Sequence, residues 1–358
     1  MSIHQKRLEK IKNKISELGL DGIYVTNLTN VKYLTGFSGS AGQVLILPNS
    51  QHFFTDSRYQ EQSKNQVKDY QISIIDGGYI KTIENNKLLN SDLKIGFESN
   101  HIVFSLFNII NKTFTSVKFE PTSEIVETVA SVKDMSEIEL LKSAIEITDV
   151  VFETIIKEMK VGKTEKEIAA KMSYLFKING GDGDSFDTIV ASGANSALPH
   201  AEPSEKLLEN GDFVVMDFGA LYQGYHADMT RTVVIGKATD KHKEIYHTVL
   251  NSQLEGIKYA RAGMTGAELD KICRDYITEK GYGKEFSHST GHGIGLEVHT
   301  SPRIFNGNNV PLEENNVVTI EPGIYIPNFG GVRVEDDVWI QKDGCVPLNR
   351  SIKELIEI

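Results

Sequence analysis

Four carboxylates lie in or directly beside apolar, β-branched runs in the C-terminal half of this 358-residue chain. They are Asp217, Asp228, Glu321 and Glu335. Runs of this composition predict buried strands. Burying an ionised carboxylate costs free energy unless the charge is paired. Any fold of this chain must therefore supply positive charge to these side chains.

The first two carboxylates fall in a predicted hairpin. Residues 212–220 and 226–235 have the composition of strands, and the segment between them contains a glycine suited to a turn. A symmetric turn centred between Tyr222 and Gln223 places Asp217 directly opposite Asp228. Like charges opposite one another destabilise a sheet. A cation held between the two aspartates would remove that cost.

The second two carboxylates repeat this arrangement. Residues 316–321 and 331–340 are predicted strands on either side of a loop that contains glycine and proline. A turn centred on Asn328 brings Glu321 opposite Glu335, although a bulge at Pro322 could shift the register by one residue. Two facing carboxylate pairs in one half of the chain predict a shared cation site.

The charge of this set indicates more than one metal ion. Four carboxylates carry about four negative charges, which two divalent cations would neutralise, whereas a catalytic zinc usually has about three protein ligands. His292 is the candidate fifth ligand. Oxygen donors with one imidazole suit manganese, cobalt, iron or zinc. Two such ions can hold a bridging hydroxide, which is the nucleophile of many hydrolases.

Histidines and glycines are concentrated around His292. Glycines 291, 293 and 295 argue against a helix and allow close approach of the backbone to a ligand. His288 and His292 would lie on one face of an extended segment, and His299 follows closely. His200 lies in a loop bounded by prolines, and taken alone it is interpreted as an ordinary surface or core histidine.

Composition and net charge argue against several classes of function. Apolar residues make up 40% of the chain, charged residues 24%, and the net charge is −11. This charge argues against nucleic acid or an anionic membrane as the main partner. The two cysteines fit a reducing compartment. Since we find neither a signal-peptide pattern nor a long apolar span, we expect a cytoplasmic protein.

The chain is predicted to form two domains. Residues 1–130 alternate helix and strand signals, which indicates a small α/β domain. Residues 131–358 interleave helices with the carboxylate-bearing strands, which indicates an α+β domain. Capping boxes are predicted at Ser136 with Glu139 and at Thr164 with Glu167, and two further helices are predicted over residues 242–260 and 265–280.

Five motifs in this order resemble the pita-bread metallopeptidases, the family of aminopeptidase P, prolidase and methionine aminopeptidase. The motifs are Asp-Phe-Gly at 217–219, His-Ala-Asp-Met-Thr-Arg-Thr at 226–232, Gly-His-Gly-Ile-Gly-Leu-Glu-Val-His at 291–299, Ile-Glu-Pro-Gly at 320–323 and Val-Arg-Val-Glu-Asp at 332–336. The resemblance implies a pita-bread catalytic domain over residues 131–358 behind a creatinase-type N-terminal domain over residues 1–130.

The resemblance also implies roles for individual residues. The five ligands of a dinuclear metal centre are Asp217, Asp228, His292, Glu321 and Glu335. Glu321 is implied to act also as general base. The histidines that move protons and bind the carbonyl are His200, His288 and His299, and Arg333 matches an arginine paired near the metals. Mn²⁺ is the first choice of ion, with Co²⁺ and Zn²⁺ as alternatives.

The implied activity is removal of an N-terminal residue that precedes proline. Residues 36–42 (Gly-Phe-Ser-Gly-Ser-Ala-Gly) and 55–59 (Thr-Asp-Ser-Arg-Tyr) are similar to segments of cytosolic aminopeptidase P, which favours an Xaa-Pro aminopeptidase. The alternative is an Xaa-Pro dipeptidase, or prolidase. An alternative of a different class is a catalytically silent binding module. The expected partners are peptides with proline at the second position and a second copy of the chain in a homodimer.

Overall fold

The computed structural model describes residues 1–89 and 92–358, which form two compact units, Met1–Ala130 and Ser131–Ile358. No helix in the described part of the chain is both long enough and apolar enough to cross a membrane.

The N-terminal unit contains a six-stranded mixed sheet in the order β4-β3-β2-β1-β5-β6. Its strands are β1 (Gly22–Val25), β2 (Gln43–Ile46), β3 (Gln51–Thr55), β4 (Gln71–Ile74), β5 (Lys94–Glu98) and β6 (Lys118–Thr122). Its helices are α1 (Ile3–Glu17), α2 (Leu28–Thr35), α3 (Gln60–Gln66), α4 (Tyr79–Asn85), α5 (Phe104–Thr113) and α6 (Ile125–Ser131). Strands β1, β5 and β6 are parallel, whereas β1, β2 and β3 are antiparallel.

The C-terminal unit has four helices around antiparallel sheets. The helices are α7 (Met135–Glu158), α8 (Glu165–Ile178), α9 (Asp240–Tyr259) and α10 (Gly266–Glu279). The strands are β7 (Gly183–Asp184), β8 (Ile189–Ser192), β9 (Phe213–Phe218), β10 (Ala220–Tyr222), β11 (Tyr225–His226), β12 (Met229–Val234), β13 (Gly291–Gly293), β14 (Thr300–Ile304), β15 (Val317–Ile320), β16 (Gly323–Ile326), β17 (Gly330–Arg333), β18 (Asp336–Ile340) and β19 (Cys345–Pro347). The sheets run β11-β10-β7, β12-β9-β8, β14-β13-β15-β18-β19 and β16-β17.

Helices α7 and α8 both begin at capping boxes, and one of these boxes differs from the prediction. Thr164 and Glu167 form the predicted capping box of α8. The box of α7 is formed by Asp134 and Glu137, not by Ser136 and Glu139. The Asp134 carboxylate accepts the amide hydrogens of both Ser136 and Glu137. The helix therefore begins at Met135, ahead of the predicted cap.

The register of the first hairpin differs from the prediction. Gln223 and Gly224 both have positive φ, at 48° and 84°, as the two central residues of a type I′ turn require. The turn is thus centred one position later than predicted, and Asp217 pairs with Thr230. Asp228 is displaced by two residues from the predicted pairing. Because the side-chain period of a strand is two, the aspartates keep the same nominal face.

The register of the second hairpin agrees with the prediction. Gly323 pairs with Arg333 on one side of the two glutamates, and Ile320 pairs with Asp336 on the other. Asn328 lies at the centre of the turn with φ at 63°. Glu321 and Glu335 therefore occupy facing positions where the chain passes from the β15–β18 pair to the β16–β17 pair.

Candidate metal centre and active site

The predicted site residues line one cavity of about 420 Å³ in the C-terminal unit. The cavity is lined by Phe186, Ile189, Pro199, His200, Asp217, Asp228, His288, Ser289, His292, Val298, His299, Arg303, Glu321, Arg333 and Glu335. All five predicted metal ligands, all three additional histidines and Arg333 are in this set. The fold thus brings together side chains that lie far apart in the sequence.

Three of the predicted ligands form a compact donor set. Asp228, His292 and Glu335 are buried, and each offers one ligand atom within 4.8 Å of the others. Glu321 adjoins them, with Oε1 at 3.4 Å from His292 Nε2. The same imidazole nitrogen lies 3.6 Å from Asp228 Oδ2. Carboxylates converging on one imidazole nitrogen are a suitable site for a divalent cation.

The orientation of the His292 ring is set by its own strand. Nδ1 lies 3.1 Å from the carbonyl oxygen of Gly293, so this nitrogen carries the hydrogen and Nε2 presents a lone pair to the cavity. A Cβ atom at Gly291 would lie 2.0 Å from the Thr319 carbonyl oxygen, and one at Gly293 would lie 2.3 Å from that of Ser301. The two glycines therefore let neighbouring strands pack closely against β13. The sequence had predicted that they allow close approach of the backbone to a ligand.

Asp217 is oriented by an arginine from the second hairpin. Arg333 Nη2 donates a hydrogen bond to Asp217 Oδ2, and the two side chains form a partly buried ion pair. Asp217 Oδ1 is buried and has no hydrogen-bond partner. A buried carboxylate oxygen without a donor is costly. A cation in the cavity would satisfy it.

Thr230 connects the two hairpins. Its hydroxyl donates to Glu335 Oε2 at 2.5 Å and accepts from Arg333 Nε at 2.8 Å. A second connection fixes the backbone beside a ligand, because the Asp228 amide donates to Asp337 Oδ2 at 3.0 Å. These contacts hold the carboxylates in place even though they repel one another.

A buried ion pair lies behind the carboxylates. Arg231 Nη2 is 2.7 Å from Asp336 Oδ1, and both side chains are almost fully buried. The guanidinium also donates to the carbonyl oxygens of Ser351 and Ile352 at 3.1 and 3.2 Å. Residues 351 and 352 are thus joined to β12, the strand that follows Asp228.

The electrostatics of the cavity indicate missing positive charge. Burial, followed by repulsion from Glu335 and Asp217, raises the pKa of Asp228 well above its usual range. Burial and repulsion from Glu321 raise the pKa of Glu335 in the same way. Burial raises the pKa of Glu321 to about 7, against the opposing effect of Arg333. Burial also lowers the pKa of His292 to about 3, which keeps its imidazole neutral, as a metal ligand must be. The donor set therefore fits divalent cations.

His288 is held by a chain of hydrogen bonds. Arg333 Nη1 donates to the Tyr325 hydroxyl at 2.7 Å, which lies 3.0 Å from His288 Nε2. His288 Nδ1 lies 2.7 Å from the Ser289 carbonyl oxygen. The carbonyl can only accept, so Nδ1 donates and the tyrosine hydroxyl donates to Nε2. Both ring nitrogens of His288 are therefore engaged by the protein.

His200 and His299 are exposed at the cavity. The rings of His299 and His292 meet edge to face, with centroids 4.4 Å apart. Burial, followed by Arg303, lowers the pKa of His299. A neutral imidazole keeps one N–H with which it can donate a hydrogen bond into the cavity.

Sequence reasoning did not identify Tyr325, Thr230, Asp337 or Arg303 as site residues. Tyr325 follows the Ile-Glu-Pro-Gly motif closely, Thr230 lies within the motif of residues 226–232, and Asp337 directly follows the motif of residues 332–336. Their position in or beside these motifs was the sequence signal that could have identified them. Their partners are distant in sequence, as in the Thr230–Glu335 bond, which spans 105 residues. Arg303 lies outside the motifs and had no such signal.

Comparisons with known proteins agree with this geometry. Residues 139–342 match the model of metallopeptidase family M24, and residues 7–132 match the creatinase/prolidase N-terminal domain. The chain therefore belongs to the creatinase, aminopeptidase P and prolidase family of metallopeptidases. It is a metallo-exopeptidase with a pita-bread catalytic domain, and the family uses divalent metal ions.

Three similar proteins span almost the whole chain. The structure of an Xaa-Pro dipeptidase from Bacillus anthracis is 43% identical with a TM-score of 0.95, covering 99% of this chain and 100% of that one. The structure of an X-Pro aminopeptidase from Thermotoga maritima MSB8 is 41% identical with a TM-score of 0.90, covering 97% and 100%. A protein named Xaa-Pro dipeptidase from Pyrococcus horikoshii is 39% identical, covering 99% and 100%. The relatives favour the dipeptidase alternative over the predicted aminopeptidase.

Proposed function

We propose that the protein is an Xaa-Pro dipeptidase, which hydrolyses the bond between the first residue and the proline of a dipeptide. The observation that carries this proposal is the position of the Arg303 guanidinium. Arg303 lines the cavity, and its guanidinium makes no hydrogen bond or ion pair with residues 1–89 or 92–358. The other arginine of the cavity, Arg333, is already bound to Asp217 and Tyr325.

A dipeptide carries a free carboxylate one residue beyond the bond that is cut. A guanidinium can bind that carboxylate with two parallel hydrogen bonds. A longer peptide has an uncharged amide at the same place and gains less from the arginine. Arg303 therefore favours substrates that end at proline.

Asp217, Asp228, His292, Glu321 and Glu335 would hold two divalent ions, with Mn²⁺ as the first choice. When bound, the ions supply Lewis acidity toward the scissile carbonyl and activate water. Glu321 accepts the proton of the attacking water as general base.

The histidines then act on the substrate. His299 donates a hydrogen bond to the developing oxyanion. Proline leaves as a secondary amine whose nitrogen carries no hydrogen in the peptide, and His200 delivers the proton it needs. His288 was predicted, with the other two histidines, to move protons or bind the carbonyl. Because its two nitrogens are bound to Tyr325 and Ser289, we assign it to holding Tyr325 and leave the oxyanion to His299.

The test compares Xaa-Pro with Xaa-Pro-amide and Xaa-Pro-Yaa on wild-type protein and on Arg303→Gln. For the dipeptide, we expect KM to rise by about tenfold or more in the variant, since a charge-assisted bond contributes about 1.5–3 kcal/mol. The amide and the tripeptide should be affected little. Arg261→Gln is the matched control, because Arg261 is exposed and lies outside the cavity lining.

The second candidate is an Xaa-Pro aminopeptidase. It is supported by residues 36–42 and 55–59 and by the likeness to the aminopeptidase structure from Thermotoga maritima. Wild-type cleavage of Xaa-Pro-Yaa at least as fast as Xaa-Pro, with no effect of Arg303→Gln, would establish this alternative. Absence of turnover by metal-loaded protein on all three substrates would favour the silent binding module.

A further inference from the structure

A buried carboxylate outside the cavity contacts the loop that carries His200. Glu165 is the first residue of α8 and its exposed fraction is 0%. No lysine or arginine of residues 1–89 and 92–358 forms an ion pair with it. A buried carboxylate without a cation must be stabilised by hydrogen-bond donors.

Those donors come from both ends of the loop formed by residues 192–204. At the start of the loop, the amide and hydroxyl of Ser192 donate to Glu165 Oε1 at 2.6 and 2.8 Å. At its end, the amide and hydroxyl of Ser204 donate to Oε2 at 2.9 and 2.6 Å. Asn195 Nδ2 lies 3.2 and 3.3 Å from the two oxygens. One side chain thus joins the two ends of the loop.

The middle of the loop faces the metal ligands. Arg333, which binds Asp217, also donates to the Pro199 carbonyl oxygen at 3.2 Å. The next residue, His200, is exposed, so its position depends on the loop rather than on packing around its ring. Releasing one end would let the loop sample many conformations and remove His200 from the cavity for part of the time.

We propose that Glu165 is a positioning residue, which holds both ends of the loop of residues 192–204 and so keeps His200 at the leaving nitrogen. This inference rests on the proposed function of His200 as proton donor. Glu165 itself touches no substrate. Its contribution should therefore appear only while His200 is present.

The experiment uses full-length protein with Glu165→Gln, where one oxygen becomes an amide that cannot accept the Ser204 or Ser192 donors. Glu167→Gln is the matched control, because Glu167 lies in the same helical turn but accepts from Thr164 and Lys163 at the surface. Hydrogen exchange over residues 192–204 is measured together with kcat, KM and metal content, in wild-type and His200→Ala backgrounds.

We expect Glu165→Gln to accelerate exchange in the loop and to lower kcat by about tenfold, part of the 10²–10⁴ typical of general acid catalysis. KM and metal content should be unchanged. In the His200→Ala background, the same substitution should change kcat by less than about twofold, since the two residues act as one unit.

The same factor in both backgrounds, an equal effect of Glu167→Gln, or unchanged exchange would overturn the proposal. Ser204→Ala removes one hydroxyl bond to Glu165 and gives the same test, with smaller changes, if Glu165→Gln does not fold. If wild-type protein cleaves no Xaa-Pro substrate, the proposed function fails, and the exchange data still decide whether Glu165 holds the loop.

Discussion

Replacing Thr230 by valine should weaken metal binding without altering any metal ligand. The substitution keeps the shape of the side chain but removes the hydroxyl that donates to Glu335 and accepts from Arg333. Thr230 is fully buried, with an exposed fraction of 0%, so water cannot replace the lost donor. The Glu335 carboxylate would then be free to turn away from the cavity.

The size of the effect follows from the bond that is lost. A hydrogen bond to a charged group contributes about 1.5–3 kcal/mol, and each 1.4 kcal/mol corresponds to about tenfold in affinity. We therefore expect the dissociation constant for Mn²⁺ to rise by about 10–100-fold, the range typical of groups that orient metal ligands. Calorimetric titration of metal-free protein with Mn²⁺ measures this change.

Thr232→Val provides the matched control. Thr232 is equally buried and follows on the same face of β12, but its hydroxyl bonds only the backbone of Arg333. This variant should lose folding stability and keep its affinity for Mn²⁺. Wild-type affinity for Mn²⁺ in Thr230→Val, or an equal loss of affinity in Thr232→Val, would refute this role of the Thr230 hydroxyl.

Two further predictions concern the metal content and a buried lysine. Elemental analysis of Mn²⁺-reconstituted protein should give about two ions per chain. Asp228→Asn or Glu335→Gln should lower that number and abolish hydrolysis, with little change in circular dichroism. Full activity with one tightly bound ion would contradict a dinuclear centre. Burial lowers the pKa of Lys133 to about 8 from an ordinary 10.5, so between these values the unfolded chain binds more protons and wild-type stability rises with pH. Lys133→Met should therefore be more stable than wild type by about 3 kcal/mol at pH 7, falling to about 1 kcal/mol near pH 9.5 in urea unfolding. A difference that does not change with pH would show that folding does not lower the pKa of Lys133.

The two hairpins show how far the sequence determined the fold. For the second, the predicted register agreed because Asn328 is one of the few residue types that tolerate positive φ at the centre of a turn. For the first, the preference of type I′ turns for glycine at the second central position should have placed the turn at Gln223 and Gly224. That error of one position moved the pairing by two residues and left the aspartates on the same nominal face.

The candidate ligands could be predicted because carboxylates in buried strands are costly unless a positive charge pairs with them. The residues that hold them could not, because a hydroxyl such as that of Thr230 looks ordinary until its partner strand is known. Glu165 could not be singled out either, because an acidic residue in the first turn of a helix is common. Contacts between distant segments depend on packing that no local pattern records.

The bonds between Arg231 and residues 351 and 352 also determine when the centre can be completed during synthesis. Asp228 leaves the ribosome more than a hundred residues before Ser351 and Ile352. Until these residues emerge, the guanidinium that is to be buried beside the ligands lacks two of its acceptors. A buried charge with incomplete partners is strongly destabilising. Stable burial of Arg231 behind the ligands therefore requires residues 351 and 352, which are synthesised long after Asp228.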